Sequence, residues 1–148
     1  MDRVNIYTYT DVRGVNLGNG AAWYILETET RKGPATAGKK LQLEQVTENQ
    51  AELTVLLEAA RRIRLGCELH IYTESTFVAA GWTMNWISGW KRNDWKTRKG
   101  KPVAFSEMWQ ELDQITGCRH TEIHIKEYHA YSKWFKFEAE RERKKKYV

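Results

Sequence analysis

Thr47-Glu48-Asn49-Gln50-Ala51-Glu52-Leu53 opens a helix, and Glu68-Leu69-His70-Ile71-Tyr72-Thr73 follows it as a strand. Thr47 suits the N-cap. Gln50 stands three residues on, the spacing at which a capping box satisfies free N–H groups of the first turn. Leu53, Leu56, Leu57, Ala60 and Ile63 recur at helical spacing and would bury one face, with Gly66 as the stop. A strand reached through a helix, after an antiparallel meander, is expected to pair in parallel with the first strand of the chain. That pairing makes the protein α/β.

Upstream, Val4-Asn5-Ile6-Tyr7-Thr8-Tyr9-Thr10-Asp11 alternates as a strand with Asn5, Tyr7, Tyr9 and Asp11 on one face. Gly14, Gly18, Asn19 and Gly20 turn the chain, and residues 21–29 return as a second strand. Lys32-Gly33-Pro34 makes another turn, and Leu41, Leu43 and Gln45 fall in a short third strand. Downstream, residues 75–90 read as one helix ending near Gly89, 91–101 as a basic connection and 105–115 as a helix. Residues 121–126 read as a fifth strand, and Ser132 caps a last helix running to about Lys145. The expected order is β-β-β-α-β-α-α-β-α in a single domain over residues 1–148, with 141–148 as a basic C-terminal tail.

The chain has 148 residues and a net charge of +5, and its hydrophobic content of 41% suits a folded domain. No apolar run reaches the roughly 18 residues of a membrane span, and no signal-peptide core follows Met1. Cys67 and Cys118 are too few for a disulfide framework and read as buried thiols of a reducing, cytoplasmic setting. Residues 82–102 alone carry a net +5, and the run from Arg141 to Lys146 adds +4. In the first of these segments Lys91, Arg92, Lys96, Lys99 and their neighbours are interleaved with Trp86, Trp90 and Trp95. Basic side chains mixed with indole rings suit a nucleic-acid backbone and its sugars or bases. No membrane and no obligatory protein partner are indicated. His70, His120 and His124 show no spacing of a zinc site.

These residues resemble the type 1 ribonuclease H family over nearly the whole chain. The most specific match is Trp86-Ile87-Ser88-Gly89-Trp90-Lys91-Arg92-Asn93-Asp94-Trp95-Lys96-Thr97, followed by Lys101-Pro102-Val103 and Trp109-Gln110-Glu111-Leu112-Asp113. It is similar to the family's helix and basic protrusion, which hold the DNA strand of an RNA/DNA hybrid. Residues 47–53 resemble the Thr-x-Asn-x-x-Glu-Leu helix start, Thr73-Glu74-Ser75 the Thr-Asp-Ser that ends the fourth strand, and His129 the histidine of the loop before the last helix. The resemblance implies a ribonuclease H-like fold: a five-stranded mixed sheet with helices on both faces and a basic protrusion. It also implies an endonuclease that hydrolyses the RNA strand of hybrids with two Mg²⁺ or Mn²⁺ ions gathered by carboxylates.

The carboxylate set is altered. Glu52 keeps its motif, and Glu74 replaces the family's Asp with a side chain one methylene longer. In the first strand one register puts Tyr9 at the catalytic position and a register two residues away puts Asp11 there. The need for charge favours Asp11, because a neutral phenol replaces a carboxylate poorly. Lys136 falls where the family has Asp or Asn, and could bind phosphate or repel a second ion. The expected catalytic residues are therefore Asp11, Glu52, Glu74 and His129, with Asp11, Glu52 and Glu74 as metal ligands. Asn49, Gln50, Ser75, Thr76, Trp86, Trp90, Lys91, Arg92, Trp95, Lys96 and Lys99 are the expected nucleic-acid contacts. The other reading is a module that binds hybrid or duplex and has lost catalysis.

Overall fold

The computed structural model describes residues 2–64 and 66–145. Along the chain run β1 (Arg3–Thr10), β2 (Gly18–Thr30), β3 (Gly33–Val46), α1 (Glu48–Ala60), β4 (Glu68–Thr73), α2 (Thr76–Thr83), α3 (Trp86–Arg92), α4 (Ser106–Thr116), β5 (Thr121–Ile125) and α5 (Ser132–Lys145). The strands form one sheet in the order β3-β2-β1-β4-β5. β1 is antiparallel to β2 and parallel to β4, and β5 adds in parallel to β4. The sheet is therefore mixed, and α1 is the crossover that lets β4 lie beside β1.

Period-two alternation sorts β1 between two cores. Ile6 faces α1, α2 and α4, whose Leu53, Leu56, Val78, Trp109 and Leu112 fill the larger core. Tyr7 faces α5, where it meets Trp23, Ile25 and Phe135. Thr47 caps α1 by accepting a hydrogen bond from the Gln50 N–H at 3.2 Å. α1 stops at Ala60, well before Gly66. Its last turn is tied to α4 by Arg61, which donates to both carboxylate oxygens of Glu111 at 2.5 and 2.8 Å.

Several elements differ from expectation. β3 is a 14-residue edge strand rather than a short one, paired with β2 from Thr30↔Gly33 to Gly18↔Val46. Backbone pairing builds it, while most of its side chains are exposed and leave no apolar alternation to read. Pro34 near its start and Lys39–Lys40 along it are tolerated, and protective, on an edge. The helix expected over 75–90 is split into α2 and α3 at Asn85, which takes a left-handed φ of 56° that Asn adopts readily. The break lets α2 bury Val78–Gly81 while α3 separately buries Ile87. The order thus gains a helix, β-β-β-α-β-α-α-α-β-α.

The basic run is not a free tail as far as Lys145. Arg141, Arg143 and Lys145 pair with glutamates on α5 itself, and buried Glu142 accepts from Lys40 of β3 at 2.5 Å. Lys146–Val148 lie outside the described residues. Cys67 is buried, but Cys118 is exposed, so only one thiol is where the sequence placed it. Among the described residues no helix is long and apolar enough to cross a membrane.

Candidate active site and nucleic-acid interface

The end of β1 decides which first-strand residue faces the cleft. Thr10 pairs with Ala22, and the Asp11 N–H donates to the Ala21 carbonyl at 3.1 Å. Asp11 then folds back over β2, where its Oδ1 accepts the Ala21 N–H at 2.7 Å. The fit is close: a Cβ on Gly20 would lie 2.5 Å from that oxygen, so a side chain there would have to displace the Asp11 carboxylate. Tyr9 lies in the cleft instead, whose lining includes Thr8, Glu74, Glu127, His129 and Lys136. The expectation that Asp11 joins Glu52 and Glu74 is thus corrected. The carboxylate that charge balance favoured caps the β1–β2 ladder, and a phenol occupies its place.

Arg13 engages that phenol. Its guanidinium lies 5.5 Å from the Tyr9 ring centroid and donates to the Tyr9 hydroxyl at 3.1 Å. It also bonds the carbonyls of Thr10 and Val12 at 2.5 and 3.0 Å. The loop carrying it is latched to α1, because the Gly14 N–H donates to the Glu48 carboxylate and the Glu48 N–H to the Gly14 carbonyl. The sequence reading missed Arg13, because its role depends on how the loop closes.

Glu52 is buried on α1, and its Oε2 has no hydrogen-bond partner. Burial pushes its carboxyl up to about 7; the Arg13 charge pulls it down, and Glu48 and Glu74 push it further up. Glu74 is exposed at the end of β4, in the cleft with Tyr9. An orphaned carboxylate oxygen with a second carboxylate nearby fits one hard cation. A second divalent ion fits poorly, because Arg13 and Lys136 bring positive charge and Tyr9 brings none of the missing negative charge.

His129 packs in an aromatic layer, its ring centroid 4.5 Å from that of Tyr7 and 5.9 Å from that of Phe135. Its Nδ1 accepts the Tyr131 N–H at 3.1 Å, so the neutral ring carries its proton on Nε2. Burial lowers its pKa, with Glu27 opposing. Beside it, Glu27 accepts from Asn5, Tyr7 and Tyr131 at 2.9, 2.9 and 2.5 Å. Burial and Glu27 together push the Tyr131 hydroxyl up to about 12. This network fastens the loop before α5 to β1 and β2. It was not legible in sequence because Glu27 and Tyr131 lie 104 residues apart.

The expected recognition residues divide into two groups. Asn49, Thr76, Arg92, Lys96 and Lys99 are exposed. Gln50 is half-buried in the first turn of α1, and Ser75 is buried as the cap of α2, accepting the Val78 N–H at 3.0 Å. Lys91 pairs with Asp113 at 3.1 Å. Trp90 and Trp95 are partly buried against the large core, so they anchor the protrusion as well as lining it, and Trp86 packs on Phe77 and Trp90. Gly89, Trp90, Asn93, Lys96, Thr97 and Arg98 line an open groove of about 800 Å³. Its tip is a turn in which the Thr97 N–H donates to the Lys101 carbonyl at 2.7 Å.

Comparison with known proteins places this geometry. The RNase H family model matches residues 3–133. A ribonuclease H of Marinobacter nauticus is 46% identical over 77 residues, 52% of this chain and 51% of that protein. A ribonuclease H of Neisseria gonorrhoeae is 38% identical over 114 residues, 76% of this chain and 74% of the relative. The match thus spans about half of the first relative and about three quarters of the second. Among solved structures, a type 1 RNase H with the type 2 active-site motif superposes with a TM-score of 0.73 at 21% identity, over 95% of this chain and 70% of that one. The PFV RNase H domain superposes with a TM-score of 0.64 at 14% identity, over 95% and 90%. The structural likeness shows the fold and the sequence relatives show the lineage: the chain belongs to the ribonuclease H family.

Proposed function

We propose that the protein is a hydrolase, an endoribonuclease that cuts the RNA strand of RNA/DNA hybrids. The observation that carries this reading is the retained pair Glu52 and Glu74, one with an unpartnered buried oxygen, beside a cleft and a basic protrusion. The family works with divalent ions, and here Glu52 and Glu74 would hold one. Such an ion, Mg²⁺ or Mn²⁺, supplies charge stabilisation of the phosphodiester during hydrolysis. The chain's own groups do the rest. Lys136 binds a backbone phosphate, Arg13 holds the Tyr9 hydroxyl in place, and His129 offers its Nε2–H as a hydrogen-bond donor at the cleft wall. Lys96, Arg98 and Lys99 hold the DNA strand through phosphates, with little sequence preference.

A depleted carboxylate set favours Mn²⁺, which tolerates irregular oxygen sites better than Mg²⁺. The deciding experiment is cleavage of an end-labelled hybrid with each metal, for the parent and for Glu52→Gln. Cleavage stronger with Mn²⁺ and lost in the variant supports the proposal. The Tyr9–Arg13 pair and Lys136 favour a second reading, a module that binds hybrid without cutting it. Tight hybrid binding with no metal-dependent cleavage would establish that reading.

A further inference from the structure

Away from the cleft, β4 and β5 bring three histidines and several glutamates to one edge of the sheet. His70 on β4 pairs in register with Glu122 on β5, and Tyr72 pairs with His124. The Nδ1 of His70 lies 2.9 Å from Nε2 of His124, and Oε2 of Glu122 lies 3.3 and 3.8 Å from these two nitrogens.

The remaining atoms of each side chain are already engaged. His70 Nε2 is 2.6 Å from a Glu68 oxygen, and His124 Nδ1 is 2.9 Å from a Glu127 oxygen. A carboxylate only accepts, so both of these outer nitrogens carry the proton. The two inner nitrogens of neutral rings then present lone pairs to each other and to a carboxylate oxygen. The other oxygen of Glu122 is held by His120 at 3.0 Å, which leaves Oε2 turned to the histidines. Tyr72 stacks on His124 with centroids 4.3 Å apart and fixes its plane. With both rings neutral, three lone-pair atoms converge without a donor among them, an arrangement that a cation satisfies.

We propose that His70, His124 and Glu122 form a Zn²⁺ site with its fourth position open to solvent. Points separated by 2.9, 3.3 and 3.8 Å lie on a circle of radius about 2.0 Å, the length of a Zn–N or Zn–O bond. Two imidazoles and a carboxylate suit Zn²⁺ rather than Mg²⁺. Carboxylates on the far nitrogen of both rings are the usual way a protein orients metal-binding histidines. The expectation that these histidines hold no zinc rested on sequence spacing. The two rings are 54 residues apart and meet only through strand pairing. The ion would tie β4 to the edge strand β5 and, through Glu127, to the loop lining the cleft.

The test is titration of the metal-free full chain with Zn²⁺ by calorimetry and thermal denaturation, with Mg²⁺ as control. One Zn²⁺ should bind at this site and raise Tm, and in the double variant Glu52→Gln with Glu74→Gln, which lacks the cleft carboxylates, Mg²⁺ should not reproduce this. His124→Gln and Glu122→Gln should each weaken Zn²⁺ binding on the order of 100-fold, and Glu68→Gln on the order of 10-fold. Cys118→Ser and the double variant Glu52→Gln with Glu74→Gln should leave it unchanged. In the parent, Co²⁺ should give tetrahedral d–d bands without thiolate charge transfer, a readout independent of whether the variants fold. No Zn²⁺ binding at millimolar metal would overturn the proposal, as would binding that survives both His124→Gln and Glu122→Gln or a thiolate band with Co²⁺.

Discussion

Replacing Glu52 by Gln should make the protein more stable at alkaline pH than at acid pH, relative to the parent. Burial holds the Glu52 carboxyl near 7 in the folded chain, against an ordinary 4.5. Each tenfold change in proton affinity is about 1.4 kcal/mol, so the ionised folded state carries roughly 3 kcal/mol of cost. The sign follows from who holds the proton. Below pH 4.5 both folded and unfolded chains are protonated at this site and the cost is absent. Between 4.5 and 7 only the folded chain keeps the proton, so stability falls as pH rises through that window. Gln has the same shape and no charge, and any fixed cost of its buried amide is the same at every pH. The stability difference between Glu52→Gln and the parent should therefore move by about 2.5 kcal/mol between pH 5 and pH 8. For a domain of this size that is roughly 5–10 °C in Tm. The assay is urea denaturation of both proteins across that range in EDTA. A difference that does not change with pH would refute the burial argument. A change of opposite sign would mean that Arg13 outweighs burial. Added divalent ion at pH 8 should raise the parent's stability more than the variant's.

Three other outcomes follow from particular side chains. Tyr9→Asp combined with Lys136→Asp should raise metal-dependent hybrid cleavage by an order of magnitude or more, because it restores negative charge where two positions now supply none; unchanged rates in both metals would show that these positions do not set the activity. Lys96→Ala, Arg98→Ala and Lys99→Ala together should lower the slope of log affinity against log salt by roughly two to three, about 0.9 for each phosphate that is no longer neutralised. Hybrid-binding titrations at several salt concentrations would read this, and an unchanged slope removes the protrusion from the interface. Gly81→Ala should destabilise the fold by about 1–3 kcal/mol, since the new Cβ would meet the Trp109 ring at 2.5 Å; denaturation at neutral pH measures it.

Local chemistry made much of the fold legible. The Thr47 cap, the apolar spacing of α1, the alternation of β1 and the compact β4 all state their structure within a few residues. The bounds of β4 and α5 match the reading of the sequence. What failed were features with no local signature. β3 is long because β2 offers it a ladder, and the α2–α3 break at Asn85 leaves Gly81 and Ile87 buried on two separate short helices.

The site divides in the same way. Glu52, Glu74 and the basic tryptophan segment were recognisable because side-chain type and spacing carry them. The choice between Tyr9 and Asp11 was not, because a shift of two residues keeps the face and changes only the position along the strand. The tertiary structure decided it through the Ala21 N–H, which holds Asp11, and through the latch that brings Arg13 to Tyr9. His70, Glu122 and His124 belong to this second class, as do Glu27 and Tyr131. Sequence alone determined which groups the chain possesses and where most of its helices and strands lie. Strand register and loop closure decided which of those groups meet, because charges and lone pairs interact over a few ångströms that separation along the chain does not measure.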